Sequence, residues 1–91
     1  MKNFFKKVNK DSVLRKVIKF YYNNPGCIDT AENIAKWIGE EEDFVIESLE
    51  CLAENNILNK DKSYTTVAYS YTQDKDIVAA VKEFMVEEDY D

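Results

Sequence analysis

Only two places in this 91-residue chain hold residues that break regular structure, Pro25-Gly26 and Gly39. Everywhere else the backbone is free to stay in helix or strand, so the fold must consist of long regular elements joined by short turns. A chain of this length has room for one domain over residues 1–91 with a single core. With 45% hydrophobic and 33% charged residues the composition is globular, not disordered. No internal repeat or low-complexity tract interrupts it.

Apolar periodicity fills the intervals between the breaks. Asp11 or Ser12 can cap a helix in which Val13, Leu14, Val17, Ile18 and Tyr21 form one stripe. Asn23-Asn24-Pro25-Gly26 stops it, because Pro cannot continue a helix and Gly or Asn tolerates a left-handed turn. Residues 1–10 read as a basic arm, with Phe4, Phe5 and Val8 giving an extra helical turn or an ordered segment. Cys27-Ile28-Asp29 has length only for a stub of extended chain. A second helix runs from about Thr30 to Ile38; Asp29 and Thr30 are both capping types, Asp29 and Glu32 stand at capping-box spacing, and Ala31, Ile34, Ala35 and Ile38 face inward. Gly39 ends it.

Glu40 to Asn55 reads as a third helix, with Val45, Leu49, Leu52 and Ala53 inward and Phe44 and Cys51 flanking. Its first acids, Glu40 to Asp43, suit the positive end of a helix dipole, and Asn55-Asn56 offers a left-handed exit. After Ile57-Leu58 the period changes. Lys60-Asp61-Lys62-Ser63 is polar turn material, and beyond it Thr65, Val67, Tyr69 and Tyr71 alternate with Tyr64, Thr66, Ala68 and Ser70 as in a half-buried strand. Asp74 caps a last helix over residues 74–87, whose apolar face is Ile77, Val78, Val81, Phe84 and Met85. Residues 88–91 form a tail that frays, since like charges crowd the helix's negative end.

The run Ile34-Ala35-Lys36-Trp37-Ile38-Gly39, followed by Val45, Leu49, Leu52 and Ile57-Leu58, resembles the winged helix-turn-helix superfamily. The resemblance covers residues 12–72, at superfamily level. It implies a mainly α fold with a small β-hairpin: a three-helix core, a wing, and a C-terminal helix. A plain helical bundle with a polar loop is the rival. The resemblance further implies that the third helix enters the major groove of DNA, that the hairpin touches the backbone or minor groove, and that terminal helices pair two copies.

Catalysis has little to build on. The chain has no His, and its two cysteines, Cys27 and Cys51, stand far apart outside any CxxC spacing. They read as small buried hydrophobes in a reducing cytoplasm, although a disulfide stays open. The acidic run Glu40-Glu41-Glu42-Asp43 comes with no Gly-rich phosphate loop or metal motif, so no catalytic residue, cofactor or metal is expected. No apolar run approaches the roughly 20 residues of a membrane span, and the basic start is followed by no signal-peptide core.

Charge is the informative property. Residues 1–24 hold seven Lys/Arg against one acid, whereas residues 25–56 hold one Lys against nine acids. The outward positions of the third helix, Glu42, Asp43, Ile46, Glu47, Glu50 and Glu54, include no cation. Phosphate-backbone affinity comes from Lys and Arg, so this helix departs from the DNA-reading pattern of the superfamily. The candidate backbone contacts lie elsewhere: Lys6, Lys7, Lys10, Arg15, Lys16 and Lys19, with Lys2 nearby, and Lys60 and Lys62 at the expected wing tip. A candidate face for another protein or a second copy is Phe4, Phe5, Ile77, Val78, Val81, Phe84 and Met85, with closure of the monomer core by one face of the last helix as the alternative. Trp37 and Tyr21, Tyr22, Tyr64, Tyr69 and Tyr71 are expected in core or interface packing, with stacking on a base or small molecule as the alternative. The expected partners are therefore DNA, held weakly through phosphates, or another protein, and not a membrane.

Overall fold

The structure, a computed structural model, describes residues 2–89 and the side chains of residues 3–87. It holds five helices and a three-stranded antiparallel sheet, a mainly α fold with a small β component. A four-residue helix, α1 (Lys2–Phe5), opens the chain. The next helix, α2 (Val13–Asn23), is capped by Ser12, whose hydroxyl accepts from the Arg15 amide at 3.1 Å. Its exit differs from the expected left-handed turn. Asn24 stays at φ −134° and satisfies the helix end with its side chain, Nδ2 donating to the Phe20 carbonyl at 2.8 Å.

Cys27-Ile28-Asp29, read as a stub, contributes a real strand. β1 (Ile28–Thr30) pairs with β3 (Val67–Tyr71), setting Ile28 opposite Ser70, Asp29 opposite Tyr69 and Thr30 opposite Ala68. Three residues give no periodicity to read, and only the partner strand makes them β. Directly after it comes α3 (Ala31–Ile38). Its cap is Thr30 with Asn33, not Asp29 with Glu32: the Thr30 hydroxyl accepts from the Asn33 amide at 3.3 Å, and Asn33 Nδ2 reaches back to Asp29 Oδ1 at 2.8 Å. Gly39 ends α3 at φ 71°, a left-handed conformation that side chains resist.

Glu40 and Glu41 precede α4 (Glu42–Glu54), leaving Glu42 and Asp43 in its first turn. Its exit is left-handed at Asn56 (φ 63°), which lets the Ile57 amide reach back to the Leu52 carbonyl at 3.0 Å. Strand β2 (Leu58–Lys62) runs through residues read as turn, pairing Leu58 with Tyr71, Lys60 with Tyr69 and Lys62 with Val67. The turn falls at Ser63–Thr66, closed by the Ser63 amide on the Thr66 carbonyl at 2.8 Å. The sheet order is β1-β3-β2, so β3 is central and Tyr69 and Tyr71 face the core.

Asp74 caps α5 (Lys75–Asp89) by accepting from the Asp76 and Ile77 amides at 2.9 and 3.2 Å. The helix passes through residues 88 and 89, which the sequence reading gave to a frayed tail; Tyr90 and Asp91 lie outside the described residues. One core joins Val17, Ile18 and Tyr21 of α2, Ile34 of α3, Val45, Leu49 and Leu52 of α4, and Val81 and Met85 of α5. The Tyr21 hydroxyl crosses this core to the Tyr69 carbonyl at 2.8 Å and so pins α2 to the central strand. Burial pushes its phenol far up and keeps it a neutral donor.

Candidate interaction surface

The apolar face assigned to a partner is largely spent inside the chain. Val81, Met85, Phe84 and Phe5 are buried, and Phe5 stacks on Phe84 with ring centroids 4.7 Å apart and planes 17° from parallel. Phe4, Ile77 and Val78 are half-buried against the same core. A small domain cannot leave a helix face uncovered cheaply, and here α1 and the terminal helix cover each other.

On α4, Val45, Ser48, Leu49 and Leu52 point inward. Asp43, Ile46, Glu47 and Glu54 are exposed. Glu50 is half-buried and held: Lys60 Nζ donates to its Oε1 and the Tyr69 hydroxyl to its Oε2, both at 2.7 Å. Lys60, followed by Tyr69, holds the Glu50 carboxyl below the usual range, and burial with this bond pushes the Tyr69 phenol up to about 12. The triad clamps helix to hairpin.

Lys60 therefore sits in mid-strand and pairs with a carboxylate, not at a hairpin tip facing solvent. Lys62 ends β2, exposed, and the tip itself is Ser63 to Thr66, with Tyr64 fully in water. Of the α2 cations, Lys16 forms an ion pair with Glu40 just ahead of α4. Arg15 is half-buried. Lys6, Lys7, Lys10 and Lys19 are exposed, and among the described residues no ion pair holds them or Lys62. The Lys2 side chain lies outside those described. The eight candidate cations thus divide into two spent on acids of the α3–α4 region, one half-buried, and five open to solvent.

Trp37 departs most from expectation. Instead of packing under a neighbour it is 72% exposed. It lines an open groove with Asp29, Asn33 and Lys36. The signal was in the spacing: Trp37 lies off the stripe of Ala31, Ile34, Ala35 and Ile38 by about a third of a turn. Ile28, Phe44 and Ile46 are also exposed beyond what core packing needs. The tyrosines behave otherwise. Among the described tyrosines, Tyr21, Tyr69 and Tyr71 are buried, Tyr22 is half-buried, and Tyr64 alone is free.

Both cysteines are free and half-buried, and burial raises both thiols, with Asp29 adding to it at Cys27 and Glu54 and Glu47 at Cys51. A thiol raised in this way has less thiolate to offer as a nucleophile. Among the described residues no group of three acids or cysteines is placed to hold a metal ion, and no helix is long and apolar enough to cross a membrane. No protein-family model, no curated protein and no solved structure matches the chain.

Proposed function

We propose that this chain is a non-enzymatic winged-helix regulatory module, linked to transcription, which meets nucleic acid through phosphates and not through base edges. Support for the winged-helix reading comes from the order of elements. A helix and a short strand lead into two helices broken at Gly39, then a hairpin whose second strand pairs with the first strand of the chain, then a closing helix. The phosphate reading rests on one observation: Lys6, Lys7, Lys10 and Lys19 are exposed and unpaired among the described residues, whereas the solvent face of α4 presents Asp43, Glu47 and Glu54.

Carboxylates against a phosphate backbone repel, and the Glu50 carboxylate, the type of group that accepts from a cytosine amine, is already taken by Lys60 and Tyr69. Contact through a few lysines is weak, indifferent to sequence and sensitive to salt. With about four phosphates neutralised, affinity for generic duplex falls roughly 100-fold between about 50 and 200 mM salt. A fluorescence-anisotropy titration of a labelled duplex at both salts tests this. Absence of binding at the lower salt refutes it.

A second reading has its own observation. The exposed Trp37, Phe44 and Ile46 on α3 and α4 favour a module that contacts a protein and no nucleic acid. The same titration separates the two.

A further inference from the structure

We infer that the α3 surface around Trp37 is a docking site for a cationic, arginine-bearing segment of another protein. Two features meet there. The first is the indole, 72% exposed over an open groove of about 530 Å³ whose other walls are Asp29, Asn33 and Lys36. The second is charge. Lys36 is the wall this groove shares with a second depression, lined by Glu32, Ala35, Gly39, Glu40, Glu41 and Glu42.

Five carboxylates line the two depressions: Asp29 in the groove of Trp37, and Glu32, Glu40, Glu41 and Glu42 in its neighbour across Lys36. Two are answered from within, Glu32 by Lys36 at 3.5 Å and Glu40 by Lys16. Asp29 uses Oδ1 for the Thr30 amide and Asn33 Nδ2, and Oδ2 has no partner among the described residues. Glu41 and Glu42 are exposed and unpaired among them. A flat aromatic face in one groove with Asp29, with the unanswered Glu41 and Glu42 in the next depression, fits an arginine-bearing segment better than any other. A guanidinium stacks on the ring and directs its N–H fork at the acids.

A second copy of this chain supplies a poorer guest. Its one arginine, Arg15, is half-buried in α2, and its exposed cations are lysines, which lack the planar fork. The inference does not depend on nucleic-acid binding.

Trp37 is the only tryptophan, so its emission reports directly on the site. The experiment titrates the full chain with a synthetic peptide of alternating Arg and Gly, and with its Lys–Gly counterpart, at low salt. The Arg peptide should change Trp37 emission to saturation and bind several-fold more tightly than the Lys peptide. Trp37→Ala leaves net charge untouched and, at an exposed site, the fold intact by circular dichroism. Calorimetry should show it binding the Arg peptide roughly 3- to 30-fold more weakly, the range expected of a cation–π contact. Glu41→Gln with Glu42→Gln should weaken binding by a comparable factor. Three results overturn the proposal: unchanged emission, equal affinity in the Trp37→Ala chain (attraction by net charge alone), or emission that follows the protein's own concentration without peptide, which makes a second copy the occupant.

Discussion

Phe84→Ala decides whether the terminal helix closes the monomer or waits for a partner. Phe84 is 8% exposed and lies stacked on Phe5, next to the fully buried Val81 and Met85. Removing a buried phenyl ring ordinarily costs about 3–5 kcal/mol. The low end applies, because an open groove lined by Val8, Ala80 and Glu83 borders the ring and lets the site relax. About 0.5–1.5 kcal/mol of that loss belongs to the stack itself, so a double-mutant cycle with Phe5→Ala should return a coupling of that size. A loss of about 3 kcal/mol lowers Tm by roughly 12–24 °C in a domain of this size. Total stability of roughly 5–14 kcal/mol leaves the variant folded at room temperature. Thermal unfolding by circular dichroism measures the drop, and sedimentation alongside it should show the same species for both proteins. A Tm within about 2 °C of the parent, together with loss of a dimer, refutes the reasoning and returns this face to a partner.

Three further expectations follow from individual groups. Gly39→Ala keeps open space around the new methyl but forces alanine to φ 71°, so it should lower stability by about 1 kcal/mol in urea unfolding. Tyr21→Phe removes a buried bond to the Tyr69 carbonyl and should cost about 1–2 kcal/mol; Tyr71→Phe removes a buried hydroxyl that has no partner among the described residues and should be neutral or slightly stabilising. Calorimetric scans of both variants check the contrast. Because Lys60 and Tyr69 depress the Glu50 pKa, the stability it adds is fully present above the ordinary carboxylate value of 4.5 and is lost as pH falls through its depressed folded value. Glu50 is partly exposed, so the Tm difference between the parent and Glu50→Gln should stay small above that value and close in acid.

The helices were legible in the sequence because each buries a stripe with helical spacing that Gly39, Asn55-Asn56 or Asp74 delimits. What local pattern could not supply was pairing. Strand β1 exists because β3 lies beside it, and β2 accepts Lys60 and Lys62 because its register sets them against Tyr69 and Val67. Polar residues on an edge strand read as turn when the partner strand is unknown. The same limit hid the Glu50 clamp, whose members lie 10 and 19 residues apart along the chain. Sequence charge located the lysine-rich end correctly as a composition, yet only the folded positions separate Lys16 and Lys60, which answer acids, from the lysines that face water. The apolar face of α5 was equally visible, but a stripe does not say whether it meets its own core or another chain. Trp37 was different, since its place off the α3 stripe could have been read from spacing alone.

Binding of generic duplex by the parent, by Lys6→Glu/Lys7→Glu/Lys10→Glu, and by Glu47→Gln/Glu54→Gln tests the central claim most directly. Anisotropy at about 50 mM salt, where counterion release is strongly favourable, gives all three affinities on two duplexes of unrelated sequence. The lysine variant should lose binding, and the α4 variant should bind as well as the parent or better, with no preference between duplexes. Sequence-selective binding that survives loss of the lysines and disappears with the α4 changes contradicts the account.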